Sequence, residues 1–384
     1  MNVRFEPAQP PQRPIGYFVH HQGRGHAERC AAIARALPAS RPLRIFCARP
    51  DHFRGLPAHA VVQPIPSLFE ARGDEAALDH LPHPETAHCA PVGWPAITEA
   101  MTAMADWWRD ARPALMVVDV SAEVAQAARL FSVPHVHVLQ HGTRGDAGHR
   151  AAYDGAAGLL APCAEAMAQP EWDAYADRIH YAGGLGLDGA MPDRAAARAR
   201  LGVAEGEELV LVVSGGGGDG FAAAPLGVGA RATPQARWVT IGQVRRDWHA
   251  TEPANLQHLG WVENAADWIA AADLVVASTG NTTVQQVMAA GVPYLAVPEW
   301  RYFDEQVRKA EALDAAGLAH ALPGLPASAD CWRRAAAEAR RRHDPGRQRA
   351  CVDPDAARGA ARWLHRLATR LEESTPMTLA GDPS

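Results

Sequence analysis

The sequence predicts an α/β fold built as two halves, each a parallel sheet covered by helices. Three observations carry that prediction. Short apolar runs rich in Val, Ile and Leu recur along the 384 residues, as they do in strands buried on both faces. Alanine-rich stretches with helical spacing separate the runs, and such βα alternation puts helices on both sides of a sheet. The series then restarts. GGLGLDGAMPD at 183–193 is rich in Gly and Pro and stands between two complete βα series, which marks a linker. The boundaries that follow are 1–184 for the first half, 193–352 for the second, 353–372 for a terminal helix that can cross back, and 373–384 for a loose tail.

Taken in order, the first half offers strands at IGYFVH (15–20), LRIFCA (43–48), ALMVVDV (114–120) and HVHVL (135–139). The first run leads through HHQGRGHAERC into a helix. His20 and His21 close that run, and strand alternation sends one of them inward and one outward. The second half offers ELVLVVS (208–214), RWVTIG (237–242), DLVVAST (273–279) and PYLAVP (293–298). A helix starts near Asn281, after the small residues of STGNTT. Residues 353–371 have helical periodicity, and the arginine-rich stretch 333–349 reads as a solvated helical face.

Composition narrows the function. The chain is 48% hydrophobic and 21% charged, so it can bury a sizeable core. A net charge of −6 with no basic excess argues against a nucleic-acid partner. The six cysteines show no CxxC and no ligand-like spacing, as expected of reduced thiols in the cytoplasm. The polar, proline-rich start is unlike a secretory signal. No apolar stretch approaches the ~20 residues of a spanning helix, which leaves peripheral contact with the inner face of the membrane open. Lys309 is the only lysine; with so much Ala, Gly and Pro this fits a GC-rich, bacterial genome. It also removes a P-loop NTPase, because no lysine follows the glycines.

Those glycines are SGGGGDG, Ser214 to Gly220, directly after a buried run. Gly215, Gly217 and Gly220 fit GxGxxG. A dinucleotide site also needs an Asp or Glu about 20 residues on, at the end of the next strand. That strand ends in Thr240, Gly242 and Gln243, so the dinucleotide reading fails there. Four glycines cost more backbone entropy than a plain turn needs. They suit a phosphate or sugar approached by main-chain N–H groups. Ser278-Thr279-Gly280-Asn281-Thr282-Thr283 forms a second strand–helix junction, with a helix N-terminus open to an anion. Two such junctions suit a diphosphate.

At this point the chain resembles a known family. Gly260-Trp261, then Ala271–Val276 with Ser278, Gly280 and Thr283, then Ala289–Pro293 with Val297-Pro298, then Asp304-Glu305-Gln306 are similar to the donor-binding domain of GT-B glycosyltransferases. These include the peptidoglycan lipid-intermediate N-acetylglucosaminyltransferase class (family 28) and the UDP-glycosyltransferases. The resemblance is strong over about 205–320 and weaker before it. It implies a GT-B fold, two Rossmann-like domains facing across a cleft, the first binding the acceptor and the second the donor. It also implies residue roles. The backbone at Trp261 and Val262 reads the nucleobase. Gly280, Asn281 and Thr282 hold the diphosphate, with Ser278 and Thr283 among the donor-binding positions around them. Asp304, Glu305 and Gln306 face sugar hydroxyls. Ser214, Gly215, Gly216, Gly217 and Gly218 form the loop closing over the donor. Gln286 stands where the family places a ribose-binding Glu, so the assignment of UDP rests on the other positions.

His26 matches the family's Gly-His loop, with Gly23 and Gly25 beside it. The resemblance makes it the base that deprotonates the acceptor, a step a neutral sugar hydroxyl needs. Asp119, ending its strand, is the candidate partner that orients His26, with a helix N-cap as its bland alternative. The expected chemistry is hexosyl transfer with inversion from a UDP-sugar co-substrate to an unspecified hydroxyl, with no further cofactor and no metal. GHAERC also resembles the GHxxRC loop of UDP-sugar hydrolases of the pseudaminic acid pathway, where water replaces the acceptor. A nucleotide-sugar binding protein without catalysis is a third possibility. The chain length and the HHxGxGH context favour transfer. His141 is a candidate for the acceptor cleft. Trp94, Trp107 and Trp108 either stack on an acceptor or pack in the core.

Overall fold

The computed structural model describes residues 12–78, 80–87, 89–187, 189–215, 218–246 and 251–373. Gly216 and Gly217 of the glycine loop, and the tail from 374 onward, lie outside the described residues.

The fold is α/β, as the βα alternation predicts. The first half has strands β1 (Ile15–Val19), β2 (Leu43–Cys47), β3 (Ala60–Pro64), β4 (Leu115–Asp119), β5 (His135–Val138), β6 (Gly158–Ala161) and β7 (Ile179–Tyr181). They form one parallel sheet in the order β3-β2-β1-β4-β5-β6-β7. The second half has β8 (Leu209–Val213), β9 (Phe221–Ala222), β10 (Arg237–Ile241), β11 (Val244–Arg245), β12 (Leu256–Gly260), β13 (Leu274–Ala277), β14 (Tyr294–Ala296) and β15 (His320–Ala321). Six of them form a second parallel sheet, β12-β10-β8-β13-β14-β15, while β9 and β11 pair separately. Every strand expected from the sequence is present, shorter by one to three residues.

The helices of the first half are α1 (Gly25–Ala36), α2 (Pro95–Ala111), α3 (Ala122–Leu130) and α4 (Ala147–Asp154). Those that follow are α5 (Arg194–Leu201), α6 (Ala223–Ala232), α7 (Ala265–Ala271), α8 (Asn281–Ala290), α9 (Glu305–Ala315), α10 (Ala329–Arg342), α11 (Pro345–Ala350) and α12 (Ala356–Glu373). Strands β1, β4 and β8 are buried at every position, which is why their sequences are continuous rather than alternating. In α10, Trp332, Ala335, Ala336 and Ala339 turn inward, while Arg333, Arg334 and Arg341 make local ion pairs on the solvated face.

Helix α12 packs on the first sheet's side of the molecule. Ala360, Ala361, Leu364 and Ala368 share a buried cluster with Ile33 of α1 and Val117 of β4. Its far end is fixed by the fully buried Arg41, which donates to Glu372 Oε1 and Oε2 at 2.8 and 2.9 Å. No helix among the described residues is long and apolar enough to cross a membrane.

Candidate active site

Both sheets reverse strand order at one point, between β1 and β4 in the first and between β8 and β13 in the second. Loops leaving the two strands of a switch point diverge to opposite faces and open a crevice at the carboxyl ends. Most candidate residues follow these four strands, while Trp261 and Val262 follow β12, and Asp304, Glu305 and Gln306 follow β14.

At the first switch point β1 and β4 pair in parallel, with Phe18 opposite Val118. Asp119 ends β4 and His26 lies on the first turn of α1. His26 Nδ1 comes to 3.0 Å from Asp119 Oδ1. Asp119 is fully buried and His26 has 17% of its side chain exposed. A third residue joins them. Arg29 Nε donates to Asp119 Oδ2 at 2.7 Å and Nη2 to Oδ1 at 2.5 Å. This two-pronged pairing and the His26 contact offset the burial that would otherwise raise the carboxyl pKa. The carboxyl is held well below its ordinary value.

Arg29 Nη2 also lies 2.6 Å from His26 Nδ1. The two neighbours ask opposite things of that nitrogen: the carboxylate needs an N–H, the guanidinium a lone pair. Arg29 already has acceptors in both carboxylate oxygens, so the proton on Nδ1 satisfies more partners. That tautomer leaves a lone pair on Nε2, the state a base requires.

His20 and His21 correct the sequence expectation. The strand ends at Val19, so alternation does not sort them, and both are half-buried at the mouth of the crevice. Their rings stack at 4.9 Å, and His20 lies 5.4 Å from the His26 ring and 4.6 Å from Phe69. His20 Nδ1 accepts from Gln22 N at 3.1 Å. Burial, then the nearby His26 and His21, push the His20 pKa well down, so it is neutral.

At the second switch point, Gly215 follows β8 and lies against Ser278, which follows β13; a side chain on Gly215 would come 3.6 Å from Ser278 Oγ. Ser214 and Ser278 are buried. Gly220 has φ +77°, and a Cβ there would strike Gln243 O at 2.1 Å, so this glycine is required by backbone packing. Gly218 lies against Glu299 and Arg301, and Gly220 N donates to Glu299 Oε1 at 3.1 Å. A cavity of about 630 Å³ opens beside this loop, lined by Gln22 of the first half and by Asp219, Arg245, Glu299, Trp300 and Tyr302.

Asn281, Thr282 and Thr283 form the first turn of α8, with Gly280 as its cap. No side chain caps this end, so its N–H groups are free of side-chain acceptors. The turn faces α1 across the cleft. Thr282 Oγ1 is 3.4 Å from Glu28 Oε2, and a side chain on Gly25 would meet Thr282 at 3.2 Å. The structure therefore brings the His26 loop and the α8 N-terminus together. Trp261 is 67% exposed, and Val262 is partly buried against the core.

Gln306 departs from expectation. It is 3% exposed, and its Oε1 accepts from Thr279 N at 3.2 Å and Glu299 N at 2.9 Å. That oxygen braces the two loops and is not free for a sugar hydroxyl. Asp304 is exposed with φ +54°, after Phe303 at +59°. Glu305 turns toward Arg144 Nη2 at 3.8 Å and Lys309 Nζ at 3.9 Å. Gln286 is half-buried; its neighbour Gln285 is the buried one, bonding Gly184 N at 2.8 Å and Pro162 O at 3.0 Å in the first half. His141 is buried, 2.7 Å from Met167 O, its pKa lowered by burial to about 3. Trp108 packs in the core and Trp107 lies edge-on to Phe46. Trp94 precedes α2.

Sequence reading missed Arg29, Gln285 and Lys309. Arg29 stands one helical turn after His26, a spacing that puts both on one face. The other two carry no local signal. Among the described residues no group of three or more His, Cys, Asp or Glu could hold a metal ion.

No family model matches the chain. The UDP-N-acetylglucosamine--N-acetylmuramyl-(pentapeptide) pyrophosphoryl-undecaprenol N-acetylglucosamine transferase of Halorhodospira halophila is 38% identical over 89 residues, 23% of this chain and 25% of that protein. The match thus spans a quarter of the curated relative. Among solved structures, MurG of Acinetobacter baumannii superposes with TM-score 0.59 at 15% identity, covering 93% of this chain and 100% of its own. UGT89C1 of Arabidopsis thaliana superposes with TM-score 0.63 at 15% identity, over 94% of this chain and 99% of its own; it has also been solved with UDP and with quercetin. A protein described as a UDP-N-acetylglucosamine 2-epimerase of Listeria monocytogenes gives TM-score 0.60 at 12% identity, over 95% and 98%.

Two parallel sheets with a crevice between their carboxyl ends, matched to these structures over nearly the whole chain, define the GT-B fold. Within it the chain resembles the glycosyltransferases of the lipid-intermediate class and the UDP-glycosyltransferases. A shared fold does not fix the reaction, so the reaction must be argued from the site.

Proposed function

We propose that the chain is a glycosyltransferase that moves a sugar from a nucleoside diphosphate donor, a UDP-sugar, to an acceptor hydroxyl with inversion. The observation that supports this most is the buried His26–Asp119 contact facing the uncapped N-terminus of α8. In this reading residues 1–184 bind the acceptor and 193–352 the donor.

His26 Nε2 takes the acceptor proton as the acceptor oxygen bonds to the anomeric carbon. The bond from that carbon to the diphosphate breaks, and its electron pair leaves on the phosphate oxygen. Asp119 holds the proton on Nδ1 and stabilises the imidazolium that forms. The N–H groups of Asn281 and Thr282, with the α8 dipole, meet the charge growing on the diphosphate. The glycine loop closes over the donor, and Asp304 and Glu305 are the groups left for sugar hydroxyls.

Product analysis tests this directly. The protein is incubated with a UDP-sugar panel, with and without alcohol acceptors. Release of UDP with acceptor-dependent glycoside formation is expected. H26A should lose about 10²–10⁴-fold in turnover yet still bind UDP; turnover close to wild type would remove His26 from the chemistry.

Hydrolysis is the second reading. One observation favours it: Arg29 and Asn281 line a cavity of about 10 Å³, enough for a water. Free sugar formed at the same rate with and without acceptor would establish hydrolysis.

A further inference from the structure

Of the 37 Lys and Arg residues, one is a lysine, and it is not on the surface. Lys309 is 3% exposed on α9. It lines the 10 Å³ cavity together with Arg29, Gln140, His141 and Asn281. Its one ion pair among the described residues is with Glu305 Oε1 at 3.9 Å, beyond hydrogen-bond range. Glu305 is shared with Arg144. An ammonium carries three donors, and leaving them unmet in a buried site is costly.

Two independent features converge on that space. Asn281 is the first residue of α8, so the cavity adjoins an uncapped helix N-terminus. The other feature is the underpaired ammonium itself. Both call for an oxyanion. Arg29, on the same cavity, turns Nε and Nη2 to Asp119 and shares its charge with that carboxylate. A lysine suits this place in a chain otherwise using arginine, because an ammonium acts on one oxygen as a compact point charge.

We propose that Lys309 binds a non-bridging oxygen of the donor phosphate attached to the sugar, and supports that phosphate as the anomeric C–O bond breaks. The position follows from its neighbours, since Lys309 lies between Asn281 of the diphosphate turn and Glu305 of the sugar-facing segment. This rests on the nucleotide-sugar reading above.

Calorimetry of UDP and UMP, with dTDP and dTMP as a second pair, against wild type and K309M tests it. Met keeps the volume and removes the charge. Wild type should prefer the diphosphate over the monophosphate. K309M should bind the diphosphate about 10- to 100-fold more weakly, the range of a charge-assisted hydrogen bond, with monophosphate binding unchanged. A second measurement needs no variant. Labelled with ¹⁵N-lysine, the protein has one side-chain ammonium signal, which should shift with UDP or dTDP and stay in place with UMP or dTMP. Equal losses for both nucleotides in K309M, or a signal that ignores the diphosphate, would overturn the role of Lys309 alone. Wild type that binds none of the four nucleotides would overturn the nucleotide-sugar reading with it.

Discussion

At the scale of single residues, the site is a buried charge problem solved by pairing. Asp119 is fully buried, and the carboxylate is tolerable there because Arg29 and His26 meet it. D119N removes the charge and leaves the Arg29 guanidinium buried without a counter-ion. A loss of about 3–5 kcal/mol of stability is expected, readable as a lower urea midpoint, together with loss of turnover. The pH dependence has a definite sign. With its folded pKa depressed, Asp119 adds stability above its unfolded pKa of about 3.9, and this is lost as pH falls through the folded value. The buried histidines act earlier. His20, His137 and His141 all have pKa values lowered by burial, His141 to about 3. Below about 6.5 the unfolded chain takes up protons that the folded one refuses. Stability should therefore fall steadily from pH 7.5 to pH 5, and a flat urea midpoint over that range would contradict the burial of these rings. His26 and Asp119 were legible because Asp119 ends β4 and His26 opens the helix that follows the adjacent β1. Arg29 was equally within reach, three residues on, but no spacing rule says that a carboxylate already paired with histidine will also be clamped by arginine.

At the scale of elements, legibility tracked burial. The eight strands found in the sequence include all four at the two switch points. The missed β3, β7, β12 and β15 are the edge strands of their sheets. AVVQP, IHY, LQHLG and HA carry polar or few residues because an edge is not enclosed on both sides, so no continuous apolar run announces them. Missed β6 is interior but only four residues long, and missed β9 and β11 have two residues each. Segment 301–305 was recognised for its acidic residues, yet its shape was not legible, since Phe303 and Asp304 both adopt left-handed φ values that few non-glycine residues take. Contacts from the other half sustain it. Thr143 N donates to Phe303 O at 2.6 Å, and the Arg144 guanidinium lies 4.9 Å from the Phe303 ring. Gly142, with φ +140°, makes room: a Cβ there would come 2.8 Å from Phe303 O. G142A should push the segment off its support. If the segment contacts the donor sugar, the donor KM should rise about tenfold, equivalent to ~1.4 kcal/mol, with a smaller change in kcat. Unchanged donor KM with lowered stability would make the contact purely structural.

At the scale of the whole molecule, the two sheets are joined by few but specific polar contacts, and none was visible in the sequence because each pairs residues far apart in it. Arg308 pairs with Glu171 at 2.8 Å, and Thr282 approaches Glu28. Both lie at the exposed edge, where such contacts contribute little. Gln285 differs. It is 2% exposed and spans from α8 to Gly184 N and Pro162 O. Its helix begins at the turn proposed to hold the diphosphate, so the same element carries the proposed donor site at one end and the tie between halves one turn later. Q285A would leave a buried N–H and a buried carbonyl without partners, at about 1–3 kcal/mol each. Opening the cleft lets water reach both groups, so the variant should relieve that cost by shifting toward an open arrangement. Small-angle scattering should then give a larger radius of gyration for Q285A than for wild type without nucleotide. Nucleoside diphosphate, bridging loops from both switch points, should restore the wild-type value at the expense of weaker apparent binding, because some of its binding energy goes into closure. An unchanged radius together with unchanged affinity would mean that Gln285 fills an interface that does not open.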